Sequence, residues 1–277
     1  MKMYPILLAF LLIGLSYSCD NTPKPAEAES MADLAEDSTF QNKHELPEEM
    51  AFKGKGTILE FATDSEQPGT AYALMTEEPS DKYLLVIHEW WGLNDQIKQE
   101  ADRLFADLGD VNVMALDLYD GNVASSRDKA SEYMQSREQE RLESIVRGAI
   151  AKAGEDAQIA TIGWCFGGGW SLRSSILAED QGVGCVMYYG MPVKEATELA
   201  PLQTDVLGIF AKKDKYINEE VVNQFRALAA ATGKQIDVHW FDADHAFANP
   251  SSPRYVEEAA QKANQLALEF LQNRFQS

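Results

Sequence analysis

Cysteine and histidine are scarce in this 277-residue chain, with three of one and four of the other. No C-x-x-C pair, His-rich tract or Gly-x-x-x-x-Gly-Lys phosphate loop occurs, so no metal and no organic cofactor is expected. Basic charge is also short: 24 Lys and Arg stand against 44 Asp and Glu, a formal charge of -20 with no basic stripe. That balance argues against nucleic acid as a partner, because phosphate binding needs clustered cations. No fixed-period repeat is present, and the one long apolar run, Tyr4 to Leu15, is shorter than the roughly 20 residues a bilayer span needs. What remains is 45% apolar and 10% aromatic, enough for one large globular domain or two small ones.

That apolar run follows Met1, Lys2 and Met3 and precedes "SYSC" at 16–19, the layout of an export signal over 1–18. Cys19 resembles the lipidated cysteine of a bacterial lipobox, although Ser16 stands where leucine is commonest; plain secretion is the alternative. Either route places the chain outside the cytoplasm, as a periplasmic or outer-surface lipoprotein anchored to a membrane at Cys19, or as a free exported protein. From Asp20 to Met50 there are nine Asp or Glu, two Lys and almost no aromatics. Such a stretch has little apolar surface to offset the entropy of ordering, so residues 19–51 read as a disordered acidic tether containing His44.

Residues 52–277 alternate short β-branched or aromatic runs with helical patterns. "GTILEFAT" and "TAYALMT" read as a hairpin or edge pair. "YLLVIHE", "VNVMALDLY", "QIATIGWC", "CVMYYG", "VLGIFAKKD" and "QIDVHWFDADH" read as further strands. Leu93, Ile97, Ala101, Leu104, Phe105 and Leu108 share a helical face, as do Leu142, Ile145, Val146, Ala149 and Ile150. Further helices are expected near 219–232 and 254–275. The class is α/β: a mostly parallel sheet with helices on both faces and functional groups beyond the C-terminal strand ends.

Cys165 stands at such an end, in "TIGWCFGGGW", with Gly163 and Gly167 two residues to either side. A nucleophile on a tight strand-to-helix turn needs neighbours without a bulky Cβ. The N-terminus of the following helix favours a thiolate. A buried thiol beside a Gly-rich turn is the bland alternative. Asp214, after "VLGIFAKK", and His245, in "DADHAFANP", also follow strands, in the order nucleophile, acid, histidine. Asp214 also suits a turn, and Asp244 competes for His245. Cys185 reads as a core residue at the start of its strand, too far from Cys165 for a disulfide.

Together "IHEWWGLN", "ALDLY", "GWCFGG", "YYG", "KKD" and "DHAFAN" resemble the dienelactone hydrolase family, the carboxymethylenebutenolidases, over about residue 55 to the end. The resemblance implies an α/β-hydrolase fold with a catalytic triad of Cys165, Asp214 and His245, and a glutamate, Glu89, that contacts the resting thiol. A helix-capping role for Glu89 is the alternative. The fold implies an oxyanion hole from the backbone N–H groups of Phe166 and Trp90. Trp91, Trp164 and Tyr119 are candidates for the substrate pocket. Founding members of the family hold a substrate carboxylate with two arginines; here Asp120 and Gly121 occupy one place and Asn249 the other, with Arg127 and Arg254 further on reading as surface charges. The expected substrate is therefore a small neutral ester, lactone or thioester, and the expected enzyme a carboxylic ester hydrolase. A non-catalytic, membrane-tethered ligand- or protein-binding module on the same fold is the alternative. The oligomeric state is left open.

Overall fold

The computed structural model describes residues 31–35, 37–42, 44–47 and 52–276. The stretch read as an export signal, the lipobox-like sequence and Cys19 lie outside the described residues. Among the described residues, eight strands form one sheet: β1 (Thr57–Phe61), β2 (Gly69–Leu74), β3 (Lys82–Ile87), β4 (Asn112–Leu116), β5 (Gln158–Trp164), β6 (Gly182–Tyr188), β7 (Val206–Ala211) and β8 (Ile236–Phe241). Their order is β1-β2-β4-β3-β5-β6-β7-β8. β1 and β2 pair antiparallel, β2 meets β4 antiparallel, and every pair from β4 to β8 is parallel. This is the α/β-hydrolase arrangement expected, edge pair included.

The interior strands are buried on both faces. Leu84 to Ile87 and all of β4 and β7 are inaccessible, which is why they read as continuous apolar runs rather than alternating ones. Helices α1 (Met31–Leu34) and α2 (Ser38–Asn42) precede the sheet. Then come α3 (Asp95–Leu108), α4 (Arg127–Ser136), α5 (Gln139–Ala153), α6 (Phe166–Leu177), α7 (Ala196–Leu199), α8 (Glu219–Ala231) and α9 (Glu257–Phe275). α6 lies closest to the sheet, with nine of its residues buried. The chain runs from β3 to β4 on one side, then crosses back over β3 to β5. This reversal opens a crevice beyond the C-terminal ends of β3 and β5, where an open α/β sheet takes its ligands.

Three expectations need correction. The described residues between 31 and 47 are not a loose tether: Met31, Leu34, Ala35, Phe40 and His44 are all buried against the domain. The Ser131 hydroxyl donates to Ala35 O at 2.8 Å and the Arg127 guanidinium to His44 O at 2.5 Å. Arg127 is therefore an anchor for this segment rather than a free surface charge. Cys185 sits in the middle of β6, in register with Thr161. That places it four residues short of Cys165, about 13 Å at strand rise, and both cysteines are free. Its thiol lies 3.6 Å from the Ser171 hydroxyl, and burial raises its pKa to about 11.

Candidate active site

The turn from β5 into α6 holds Cys165 at φ 56°, ψ -119°, a region that L-residues avoid at about 1–3 kcal/mol. Its N–H donates to Tyr188 O at 3.0 Å and its carbonyl accepts from Gly168 N at 2.9 Å, which fixes the strained conformation from both sides. The flanking glycines are required by contact. A Cβ on Gly163 would stand 2.0 Å from Gly167 O, and one on Gly167 would stand 2.3 Å from Ile87 O and 2.4 Å from His88 O. α6 can thus approach β3 and β5 only with hydrogen at both positions. The Phe166 N–H, in the first turn of α6, has no partner within the helix.

Asp214 and His245 come together from the ends of β7 and β8. Asp214 Oδ2 lies 2.6 Å from His245 Nδ1, while its Oδ1 accepts from Tyr216 N at 2.8 Å and Ile217 N at 3.1 Å. The turn role and the orienting role considered for Asp214 are thus both real, one on each oxygen. Asp244 accepts from the His245 N–H at 3.1 Å and leaves the ring to Asp214. Burial disfavours a charged imidazole, but Asp214 and then Cys165 outweigh it and raise the His245 pKa. Burial works to raise the Asp214 carboxyl, but His245, followed by the Tyr216 and Ile217 N–H groups, holds it below its ordinary value. An imidazole nitrogen of His245 lies within 4.8 Å of the Cys165 sulfur.

Glu89 lies just beyond β3 in the same crevice. Its Oε2 accepts from Asn249 Nδ2 at 2.5 Å, while its Oε1 is buried without a partner. Burial pushes its carboxyl up to about 7, against the pull of His245, Asn249 and Arg254. The helix-capping alternative fails, since Asn94 itself caps α3 by accepting from Ile97 N. His88 is structural: its Nδ1 donates to Glu89 O at 2.6 Å and its Nε2 accepts from Leu118 N at 3.2 Å, so it pins the loop that carries Glu89.

The two positions where arginines were missing have other uses. Asp120 is paired with Arg141 at 2.6 Å, and Asn249 orients Glu89. Arg254 is not a surface charge. Its Nε and Nη1 are buried and without hydrogen-bond partners, and its field reaches Glu89, His44 and Tyr189.

Among the candidate pocket residues, Trp164 lines a cavity with Glu89, Ile97, Ala248 and Asn249, open beside α3. Trp91 stacks at a tilt on Trp90, with ring centres 4.8 Å apart, and is not a wall of that cavity. Tyr119 is fully buried, its ring 4.7 Å from His88 and 5.4 Å from Phe166, with an unpartnered hydroxyl. Tyr189 was not singled out by sequence. It lies 4.9 Å ring to ring from His245, at φ 37°, and its place in the "YYG" motif was the available signal.

The larger omission is the segment 31–47. Phe40 packs edge-on against Trp90 at 5.7 Å, Tyr216 at 5.2 Å and His245 at 6.1 Å. His44 lies 4.5 Å from Trp90 and 5.3 Å from His245, ring centre to ring centre. Its Nδ1 is 2.8 Å from Phe40 O, and burial, followed by His245, lowers its pKa well below the ordinary value. The described part of this segment is a strap across the candidate active site, and it brings a second imidazole to the thiol.

A family model described as the dienelactone hydrolase family matches residues 70–275. The chain belongs to the dienelactone hydrolase family. Within that family it is 34% identical over 135 residues to the carboxymethylenebutenolidase of Pseudomonas sp. (strain P51), covering 47% of this chain and 54% of the relative. To carboxymethylenebutenolidase 1 of Cupriavidus pinatubonensis it is 27% identical over 157 residues, 55% of this chain and 66% of the relative. The chain thus spans between half and two thirds of these relatives. Among solved structures, a dienelactone hydrolase-like promiscuous phosphotriesterase from metagenomic libraries superposes with a TM-score of 0.66 at 23% identity, covering 79% of this chain and 99% of that one. The fold is that of the dienelactone hydrolases. The strap precedes the stretch matched to the dienelactone hydrolase family.

Proposed function

We propose that this protein hydrolyses a neutral ester, lactone or thioester through Cys165. One observation carries the reading: a thiol on a strained strand-to-helix turn faces an imidazole whose far nitrogen is held 2.6 Å from a buried carboxylate. His245 takes the Cys165 proton, and the sulfur attacks the acyl carbon. The tetrahedral oxyanion receives the N–H groups of Phe166 and Trp90. Collapse expels the alkoxide or thiolate, which takes its proton from His245 and leaves an acyl-thioester. His245 then activates water, and the acid is released with Cys165 restored.

Glu89 adds a buried carboxyl that titrates near neutrality beside this machinery. Its role is to favour the resting thiol when ionised and to let the thiolate form when a substrate alters its surroundings. The test is turnover of p-nitrophenyl esters and a panel of lactones by the full chain, with Cys165→Ala as control. Turnover abolished by the substitution supports the mechanism. No turnover on any substrate, or turnover indifferent to the substitution, refutes it in favour of a binding module.

The export signal and Cys19 support a further proposal, that the mature protein is a lipoprotein held to a membrane of the cell envelope by a lipid on Cys19. Loss of membrane association in Cys19→Ala is the expected result. An unchanged distribution between membrane and soluble fractions overturns it.

A further inference from the structure

The strap gives the active site a donor that the triad does not need. One imidazole nitrogen each from His44 and His245, together with the Cys165 sulfur, lie within 4.8 Å of one another, and all three residues are buried. The backbone settles which nitrogens are free. Phe40 O can only accept, so Nδ1 of His44 carries its proton and Nε2 carries the lone pair. Nδ1 of His245 is committed to Asp214 in the same way. Both Nε2 atoms are buried and close no hydrogen bond.

This is the donor set of a thiophilic cation. Sulfur and two neutral imidazoles select zinc and its neighbours, whereas magnesium and calcium take oxygen donors. The supporting shell is also in place. A metal-binding histidine ordinarily gives its other N–H to a carboxylate or a backbone carbonyl, and here His245 has the first and His44 the second. At zinc–sulfur and zinc–nitrogen lengths of about 2.3 and 2.0–2.1 Å, neighbouring tetrahedral donors stand roughly 3.3–3.6 Å apart. The three atoms therefore close around the ion by an inward shift of about an ångström. One donor rides on the loop after α2, a helix of five residues, which makes that shift small in backbone terms.

We propose that His44, Cys165 and His245 form a three-ligand site for zinc or a similar thiophilic cation. Binding displaces to solvent the one proton that Cys165 and His245 hold between them and commits a sulfur lone pair to the metal, leaving a fourth position for water. Zinc then has two effects: it withholds the sulfur from an acyl carbon, and it clamps the strap onto the domain. The inhibition rests on the hydrolase reading, whereas the binding does not.

The test uses the full chain, stripped with a chelator and titrated with cobalt(II) and then zinc. One cobalt per chain is expected, with a thiolate-to-cobalt charge-transfer band in the near ultraviolet that zinc removes by displacement. Cys165→Ser should abolish the band. His44→Ala and His44→Gln should each weaken binding by at least about tenfold, since losing even a supporting partner of a ligand costs about 10–100-fold. Circular dichroism and the melting temperature establish that both variants are folded, and the glutamine variant preserves the packing. No charge-transfer band in the unmodified chain, or unchanged affinity in folded His44 variants, overturns the proposal. Ester turnover in chelator, measured in parallel, separates the two readings: turnover without metal binding removes the metal site alone, and metal binding without turnover removes the hydrolase alone.

Discussion

Replacing Glu89 by glutamine should make the protein more stable at alkaline pH and leave it nearly unchanged in mild acid. The carboxyl titrates at about 7 in the folded chain against a reference value of 4.5, because burial opposes its ionisation. Below about pH 4.5 the folded and unfolded states both hold the proton, and the contribution of the neutral acid is fully present. Between 4.5 and 7 the unfolded chain releases its proton while the folded chain keeps it, so stability falls as pH rises and levels off above the folded value. The interval corresponds to about 3 kcal/mol. Glutamine has no charge to bury: its oxygen still accepts from Asn249 Nδ2, and its amide occupies the place where Glu89 Oε1 lacks a partner. The unfolding free energy of Glu89→Gln relative to the unmodified chain should therefore rise by about 3 kcal/mol between about pH 4.5 and pH 8. Urea unfolding at several pH values across that range measures it, with common contributions from other groups cancelling in the difference. A difference that stays flat to within about 1 kcal/mol would refute the assignment of a buried, near-neutral carboxyl to this crevice.

Other substitutions probe other parts of the site. Asp214→Asn should keep both backbone contacts through its oxygen but turn an NH2 toward His245 Nδ1, forcing the wrong tautomer; kcat on any ester substrate should fall by about 10^4, the size this exchange has in a Ser-His-Asp triad, at an unchanged melting temperature. Gly167→Ala drives a methyl group into two backbone oxygens of the β3 end and should destabilise the fold by about 1–3 kcal/mol in urea unfolding; a neutral result would mean that α6 does not need to sit so close. Arg254→Gln removes a cation that lowers the Glu89 pKa, so the pH dependence traced above should move upward by a fraction of a unit, and a downward shift would place Arg254 elsewhere.

Most of the scaffold was legible because its strands are buried on both faces and so appear as uninterrupted β-branched and aromatic runs. β3, β4, β5 and β7 could be bounded to within a few residues. Cys165, Asp214 and His245 were singled out by a positional rule, that each follows such a run, and the structure brings the three together at the C-terminal strand ends. Glu89 stood out as a carboxylate at the end of an apolar strand. The strap was missed for an equally physical reason. Composition averages over a window, and one phenylalanine and one histidine among nine acids do not alter the average. α1 and α2 are four and five residues long, too short to be stable alone, so no local pattern marks them. What holds them is contact with Trp90, Tyr216 and Ser131, residues remote in sequence. Arg254 escaped for the same reason: it precedes α9 like an ordinary loop cation, and only the packed chain shows its guanidinium under cover.

The position of β8 at the outer edge of the sheet bears on how the protein is made. The loop that carries His245 follows that last strand, whereas the thiol, its turn and Glu89 belong to strands completed much earlier. Because a chain leaves the ribosome from its N-terminus, the cysteine is synthesised before the histidine that pairs with it. His44 waits longest, across 201 intervening steps of sequence between it and His245, as their numbers give. A nascent chain therefore exposes an unpaired thiol until β8 docks, and Cys165 gains its histidine neighbour only with the closing of the sheet's edge.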